Sequence, residues 1–147
     1  MSENKLFIKN GNKEYQDEIV ALYRDFRPNW KPNPKLGVIL DSLPSVVTIN
    51  DQELIGFAYS IEFAPDILEI ANIFVSEKYR CLNLGTSILS SIETQAVDLR
   101  YSGLILCNSD SYKSSKEKRP ATNFYLNNNY KITAETSNTR VFFKCLA

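Results

Sequence analysis

The 147-residue chain is long enough for one domain with a buried core, because a domain of this size buries roughly 68–70 % of the surface that its unfolded chain exposes. Seventeen basic and seventeen acidic residues cancel, so the overall charge does not indicate nucleic-acid binding. The chain contains no histidine and its three cysteines are scattered, which excludes any mechanism that needs an imidazole and predicts neither a metal site nor a disulfide framework.

The sequence carries no signal for export or membrane insertion. Its N-terminal residues MSENKLFIKN lack the apolar run of a signal peptide, and no stretch approaches the ~18 apolar residues of a membrane span. The odd number of cysteines, Cys81, Cys107 and Cys145, favours a reducing compartment. We therefore expect a cytoplasmic protein that binds no membrane, folded as a single domain over residues 1–147, and either a monomer or a homodimer.

Periodicity and prolines divide the first half of the chain into elements. Apolar residues at i, i+3, i+4 and i+7 within 14–26 predict a helix with one buried face, formed by Ile19, Leu22, Tyr23 and Phe26. Three prolines make 27–34 irregular. The other predicted elements of this half are a strand at 5–9, a short helix at 35–43, a hairpin of strands at 45–49 and 54–63, and a strand at 66–75.

The second half continues the alternation of helices and strands. A helix at 84–99 is predicted with one apolar stripe of Leu84, Ile88, Ile92 and Leu99. Pro120 suits the first turn of a helix over 121–128, and Asn129 suits a left-handed residue that ends it. The remaining predicted elements are a buried strand at 103–108, a polar loop at 109–119, and strands at 130–135 and 139–146.

The junction between the strand at 66–75 and the helix at 84–99 has the features of an anion site. A helix N-terminus carries roughly half a positive charge and unpaired N–H groups that attract phosphates. Asn83 tolerates a positive φ and can cap the helix, Gly85 lets a ligand approach the backbone, and Arg80 adds a positive charge. The alternative is an ordinary helix start with an asparagine cap, since neither GxGxxG nor GxxxxGK[ST] is present.

Two segments resemble the GNAT superfamily of acyl-CoA-dependent N-acyltransferases. YRCLNLGTSIL (79–89) resembles the coenzyme A loop R/Q-x-x-G-x-G/A, with Arg80 and Gly85 matching and Asn83 at the first glycine. ATNFYLNNNYKI (121–132) is similar to the segment A-x-x-F-Y-x-x-x-G-F, with Asn129 at the glycine. The predicted order of elements is also that of the family.

The resemblance implies a fold and a coenzyme site. The fold would be α/β, a single domain with a mixed, mostly antiparallel sheet of about seven strands and about four helices, bulged in strand four and splayed between strands 4 and 5. Ile73, Phe74 and Val75 would pair with the pantetheine arm of acetyl-CoA like an added strand. Backbone groups of the loop and helix start would hold the pyrophosphate: Arg80, Cys81, Leu82, Asn83, Leu84, Gly85 and Thr86.

The resemblance further implies two catalytic residues. Glu69 matches a glutamate that serves some members as the base, directly or through water; the alternative is a carboxylate at a solvated strand end or paired with a lysine. Tyr125 matches the tyrosine of the F-Y pair and would stabilise the departing thiolate, although helical spacing alone favours a core residue. Phe124 is interpreted as core.

The acceptor side is less determined by the sequence. Trp30 would wall the acceptor pocket or cover the edge of the core, and Asn72 and Asn108 are predicted to contact the acceptor, Asn108 at the end of the fifth strand. The loop at 109–119 is either solvated or contacts the 3′-phosphate or a partner. The cysteines are predicted to have no chemical role, since no histidine can activate a thiol.

Three functions remain open from the sequence. The first is transfer of an acetyl group from acetyl-CoA to a primary amine of a small molecule or peptide, by direct attack and without a metal. The second is a non-catalytic acyl-CoA-binding module that would keep the coenzyme loop but need neither Tyr125 nor Glu69. The third is an unrelated nucleotide-binding domain, which the strand-to-helix junction disfavours.

Overall fold

Residues 5–109 and 121–146 are described by the structure, which is a computed structural model. Apart from Ser109, the predicted loop at 109–119 lies outside the described residues, as do Pro120 and the side chain of Cys81. In chain order the elements are β1 (Leu6–Asn10), α1 (Gln16–Phe26), α2 (Leu36–Ser42), β2 (Ser45–Asn50), β3 (Glu53–Ala64), β4 (Ile67–Val75), α3 (Leu84–Asp98), β5 (Gly103–Ser109), α4 (Thr122–Asn127), β6 (Lys131–Glu135) and β7 (Thr139–Cys145).

The strands form one mixed sheet, as predicted. Their order is β1-β2-β3-β4-β5-β7-β6, and every neighbouring pair is antiparallel except β4 and β5. The hairpin between β2 and β3 turns through Asp51 and Gln52, whose φ angles of 50° and 70° match the turn that suits the right-handed twist of paired strands. The α/β prediction is thus confirmed within the described residues.

The sheet opens between its two central strands. β4 and β5 pair only through Ile67 with Gly103, Leu68 with Leu104, and Glu69 with Ile105. On the other side of β4 a bulge occurs at Ala71, because Tyr59 lies opposite Asn72 while Ser60 lies opposite Ile70. A bulge bends its strand and increases the local twist. The predicted bulge and splay are both present, and the strands diverge beyond Glu69.

Helices cover both faces of the sheet, and each face has its own core. On the α3 and α4 face the core includes Val46, Ala58, Leu68, Ile70, Ile88, Leu89, Ile92, Ala96, Leu104, Leu106, Tyr125, Tyr130 and Phe142. On the α1 and α2 face it includes Ile19, Tyr23, Leu36, Leu40, Val47, Leu54, Phe57 and Tyr59. Neighbouring residues such as Val46 and Val47 point to opposite faces, as the alternation of a strand requires.

The helix boundaries differ from the prediction by one or two residues. The helix predicted at 84–99 ends at Asp98, and Leu99 is 55 % exposed rather than part of the buried stripe, because the chain turns away at Arg100 with a φ of 67°. The helix predicted from residue 14 begins at Gln16, because a 3₁₀ turn capped by the Asn12 side chain precedes it. No helix among residues 5–109 and 121–146 is long and apolar enough to cross a membrane.

Candidate active site

A cleft of about 990 Å³ lies where β4 and β5 diverge, and α1, α3 and α4 contribute to its walls. Most of the residues predicted for the site line this cleft: Trp30, Glu69, Asn72, Ile73, Phe74, Val75, Arg80, Asn83, Gly85, Thr86, Asn108 and Tyr125. Leu82 and Leu84 are not among the lining residues; Leu82 is exposed and Leu84 is buried. The buried side chain of Leu84 is therefore not available for the predicted coenzyme contact.

The first turn of α3 borders the cleft through Asn83, Gly85 and Thr86. Asn83 has φ 58° and ψ 22°, so it takes the left-handed conformation that the sequence predicted. Its side chain makes no capping hydrogen bond, so the predicted asparagine cap is not formed. The left-handed residue turns the chain from the 3₁₀ helix Glu77–Leu82 directly into α3, whose positive N-terminal end lies beside the cleft.

Gly85 has a packing role that the sequence did not indicate. A Cβ added there would lie 2.9 Å from Cζ of Phe124, closer than real Cβ contacts allow. The ring of Phe124 therefore packs directly on the first turn of α3. Asn128 holds the two helices together, because its Nδ2 donates to the Phe124 carbonyl at 2.8 Å and lies 3.5 Å from Oγ1 of Thr86.

Arg80 is fixed at the end of β4. Its Nε donates to the Val75 carbonyl oxygen at 2.9 Å, and its guanidinium lies over the rings of Phe74 and Phe26, 5.4 and 5.9 Å from their centroids. These contacts hold a permanent positive charge at the edge of the cleft beside the start of α3.

Tyr125 lies on α4 with its ring in the core and its surface at the cleft. The residue is 4 % exposed, and its ring meets Phe142 at 5.1 Å and Tyr130 at 6.1 Å. Burial raises the pKa of Tyr125, with a smaller contribution from Tyr23. Its hydroxyl makes no hydrogen bond with another described residue, so it is a protonated donor available to the cleft.

Glu69 occupies the point at which β4 and β5 separate, since it is the last residue of β4 that pairs with β5. Its carboxylate makes no ion pair or hydrogen bond with another residue in the described part of the chain. Cys107 of β5 also lines the cleft, and burial followed by the charge of Glu69 raises the pKa of its thiol. A protonated thiol is a weak nucleophile.

The sequence pattern of the acetyltransferase (GNAT) family matches residues 7–127. The chain belongs to this family. The matched span includes the 80–86 loop and Tyr125. No curated protein matches the sequence.

Solved structures share the GNAT fold over nearly the whole chain. A GNAT acetyltransferase from Staphylococcus aureus Mu50 is 19 % identical with a TM-score of 0.76, over 97 % of this chain and 100 % of that chain. An aminoglycoside 6'-N-acetyltransferase complexed with coenzyme A is 15 % identical with a TM-score of 0.78, over 96 % and 97 %. PaiA N-acetyltransferase from Thermoplasma acidophilum, in complex with coenzyme A, is 13 % identical with a TM-score of 0.74, over 96 % and 99 %.

On this GNAT fold, the side of the cleft formed by α1 contains residues that the sequence did not assign to the site. Tyr23 and Phe26 were predicted only as the buried face of a helix, and Arg27 was not singled out, yet all three line the cleft with Trp30. Arg27 and Trp30 follow the end of α1 in the irregular segment 27–34, so no helical spacing marks them. Burial raises the pKa of Tyr59, and the nearby side chain of Asn72 partly offsets this shift.

Proposed function

We propose that this protein transfers the acetyl group of acetyl-CoA to a primary amine by direct attack of the amine on the thioester. The observation that carries the proposal is the cleft at the splay of β4 and β5, with Glu69 at its closed end and the Tyr125 hydroxyl at its wall. Membership of the GNAT family supports acyl transfer as the reaction class. Two solved structures of this fold contain coenzyme A, which supports the choice of donor.

The donor is expected to lie along β4 and to reach the start of α3. Residues 70–75 of β4, except the bulged Ala71, pair with β3, and none of them pairs with β5, so backbone groups on the β5 side are available to the pantetheine arm as to an added strand. The Val75 carbonyl oxygen is only partly available to the pantetheine arm, because it already accepts a hydrogen bond from Arg80. The pyrophosphate then meets the N–H groups at the start of α3 and the positive charge of Arg80.

Glu69 is expected to receive the proton of the acceptor ammonium, directly or through water. An amine of lysine type with a pKa of about 10.4 is neutral in only about one molecule in 2,500 at pH 7, which costs about 4.6 kcal/mol. A carboxylate at the point where the strands separate gives this proton a destination beside the thioester. The nitrogen then bonds to the carbonyl carbon and loses its second proton to solvent, the carbon–sulfur bond breaks, and the electron pair leaves with the sulfur.

Tyr125 is expected to donate a hydrogen bond to the departing sulfur. Complete proton transfer from an ordinary tyrosine to a thiolate whose thiol has a pKa of about 8.5 is uphill by about 2 kcal/mol. Burial raises the pKa of Tyr125 and therefore makes this transfer less favourable still. A hydrogen bond that strengthens as charge develops is therefore the larger effect of the hydroxyl. The thiolate takes its final proton from solvent as the products leave.

The proposal is tested with purified protein, acetyl-CoA and a panel of amines and peptides. Free thiol release measures turnover, mass spectrometry of the acceptor identifies the acetylated amine, and calorimetry measures acetyl-CoA binding independently. Acetylation of at least one amine above the rate of thioester hydrolysis supports the proposal. Tight binding of acetyl-CoA without acetylation of any amine would instead indicate the non-catalytic module.

A further inference from the structure

The acceptor side of the cleft has an aromatic wall that is held in place by the protein. The rings of Tyr23 and Trp30 meet edge to face at 4.8 Å, and Tyr23 meets Phe74 of β4 at 5.4 Å. The backbone N–H of Trp30 donates to the Arg27 carbonyl at 3.0 Å, and the backbone carbonyl of Trp30 accepts from Nε of Arg24 at 3.2 Å. Trp30 remains half-buried and lines the cleft, so it presents a planar apolar surface to a ligand.

A guanidinium lies at the same wall. Arg27 is half-buried and lines the cleft, with its guanidinium carbon 6.0 Å from the ring centroid of Tyr23 and its Nη1 3.4 Å from the Tyr23 hydroxyl that accepts its hydrogen bond. Guanidinium groups bind carboxylates with two parallel hydrogen bonds. The other arginine of the cleft, Arg80, is bound to the far end of β4 beside α3 and is assigned to the donor.

The charges of the described lining residues balance. Arg27 and Arg80 are basic, and Glu69 and Glu77 are acidic. With Arg80 assigned to the donor, the described lining offers an acceptor two carboxylates and one guanidinium, and the Arg27 guanidinium at the aromatic wall disfavours a polycation such as an aminoglycoside or a polyamine. The chemistry fits a ligand with one positive group, one negative group and an apolar ring.

We propose that the acceptor is an aromatic amino acid, a primary amine on an aromatic body that also carries a carboxylate. This inference rests on the proposed function, because it identifies the substrate class of the same cleft. The ring stacks on the wall formed by Tyr23 and Trp30, the carboxylate pairs with Arg27, and the ammonium faces Glu69. Each part of the ligand thus meets a group of matching chemistry.

A binding experiment uses the fact that Trp30 is the single tryptophan of the chain. Selective excitation of the indole therefore reports on the proposed wall alone. With saturating coenzyme A present, titration with phenylalanine should give a saturable change in emission. Phenethylamine, which lacks the carboxylate, should bind about ten- to one-hundred-fold more weakly, the effect expected for a charge-assisted hydrogen bond, and spermidine should give no saturable change.

Kinetics with variants test the role of Arg27. Arg27→Gln should lower kcat/KM for phenylalanine by about ten- to one-hundred-fold and change that for phenethylamine by less than about threefold. Lys35→Gln is the matched control, because Lys35 is exposed at the start of α2 and does not line the cleft. Circular dichroism and thermal melts establish that each variant is folded.

The outcomes separate this inference from the proposed function. Saturable binding and acetylation of phenylalanine, lost selectively in Arg27→Gln, support it. Acetylation of spermidine but not of phenylalanine, or equal loss for phenylalanine and phenethylamine in Arg27→Gln, would overturn the inference and leave the acetyltransferase proposal intact. Absence of any binding of phenylalanine in the presence of bound coenzyme A would also overturn it, whatever the broader amine panel shows.

Discussion

Replacement of Tyr125 by phenylalanine removes one hydroxyl and keeps the ring in its place. The ring contacts with Phe142 and Tyr130 do not involve the hydroxyl, and that hydroxyl makes no hydrogen bond with another described residue. Because no intramolecular hydrogen bond is lost among these residues, the free energy of unfolding should change by less than about 1 kcal/mol. A loss of turnover would therefore report on chemistry rather than on folding.

The expected kinetic effect follows from the state of the hydroxyl. Burial raises the pKa of Tyr125, so the group stays protonated through the working range of pH and acts as a hydrogen-bond donor. Loss of one donor to a developing anion raises the barrier by about 2–3 kcal/mol, which corresponds to a rate lower by about thirty- to two-hundred-fold. Affinity for acetyl-CoA should change much less than turnover, since the bond strengthens only as charge develops on sulfur.

The assay compares two acyl donors in the parent and in Tyr125→Phe, under conditions in which chemistry limits the rate. A donor whose thiol has a lower pKa needs less stabilisation and should be less impaired by the variant than acetyl-CoA. Tyr130→Phe is the matched control, because its hydroxyl donates to Glu93 at 2.9 Å and does not line the cleft. Equal impairment with both donors, or none, would assign Tyr125 to the core and refute the reasoning.

Three further predictions concern other parts of the chain. Glu69→Gln should lower turnover most at low pH, where the amine is most protonated, and leave acetyl-CoA affinity nearly unchanged; a pH profile identical to that of the parent would remove Glu69 from the mechanism. Gly85→Leu should weaken acetyl-CoA binding in calorimetry, even in a Phe124→Ala background that removes the ring beside it, and unchanged affinity in that folded double variant would contradict the placement of the coenzyme. Burial, followed by Glu93, raises the pKa of Tyr130, so the folded state holds that proton more tightly than the unfolded chain does. Stability should therefore be complete below about pH 10 and fall as the pH rises further, and denaturant unfolding at alkaline pH should show a smaller fall in Tyr130→Phe than in the parent.

Much of the fold could be predicted because its signals are local. The prolines at 27–34, the apolar face of α1 and the left-handed Asn83 and Asn129 are all determined by residues close in sequence, and the structure has each of them. Leu99 was misplaced because a periodic pattern does not indicate where a helix turns away from the core. Helix ends depend on such single turns.

The site was predictable where a sequence block marks it and less so where distant elements meet. The coenzyme loop and Tyr125 lie in two blocks, and the structure brings both to one cleft, although their roles stay predictions. The packing of Phe124 on Gly85 and the wall shared by α1 and β4 join residues far apart in sequence. The pattern of residues within one segment cannot predict such contacts, because they depend on the tertiary fold.

The three residue pairs that join β4 to β5 have a mechanical consequence. Backbone hydrogen bonds connect the two halves of the sheet only at one end, and the remaining connection is the core beneath α3, where Ile88 and Ile92 share one cluster with Ile70 and Leu104. The angle between the diverging strands therefore depends on the volume of these side chains, because close-packed interiors transmit strain. We expect that removal of a methyl group at Ile92 changes the width of the cleft, although Ile92 does not line it.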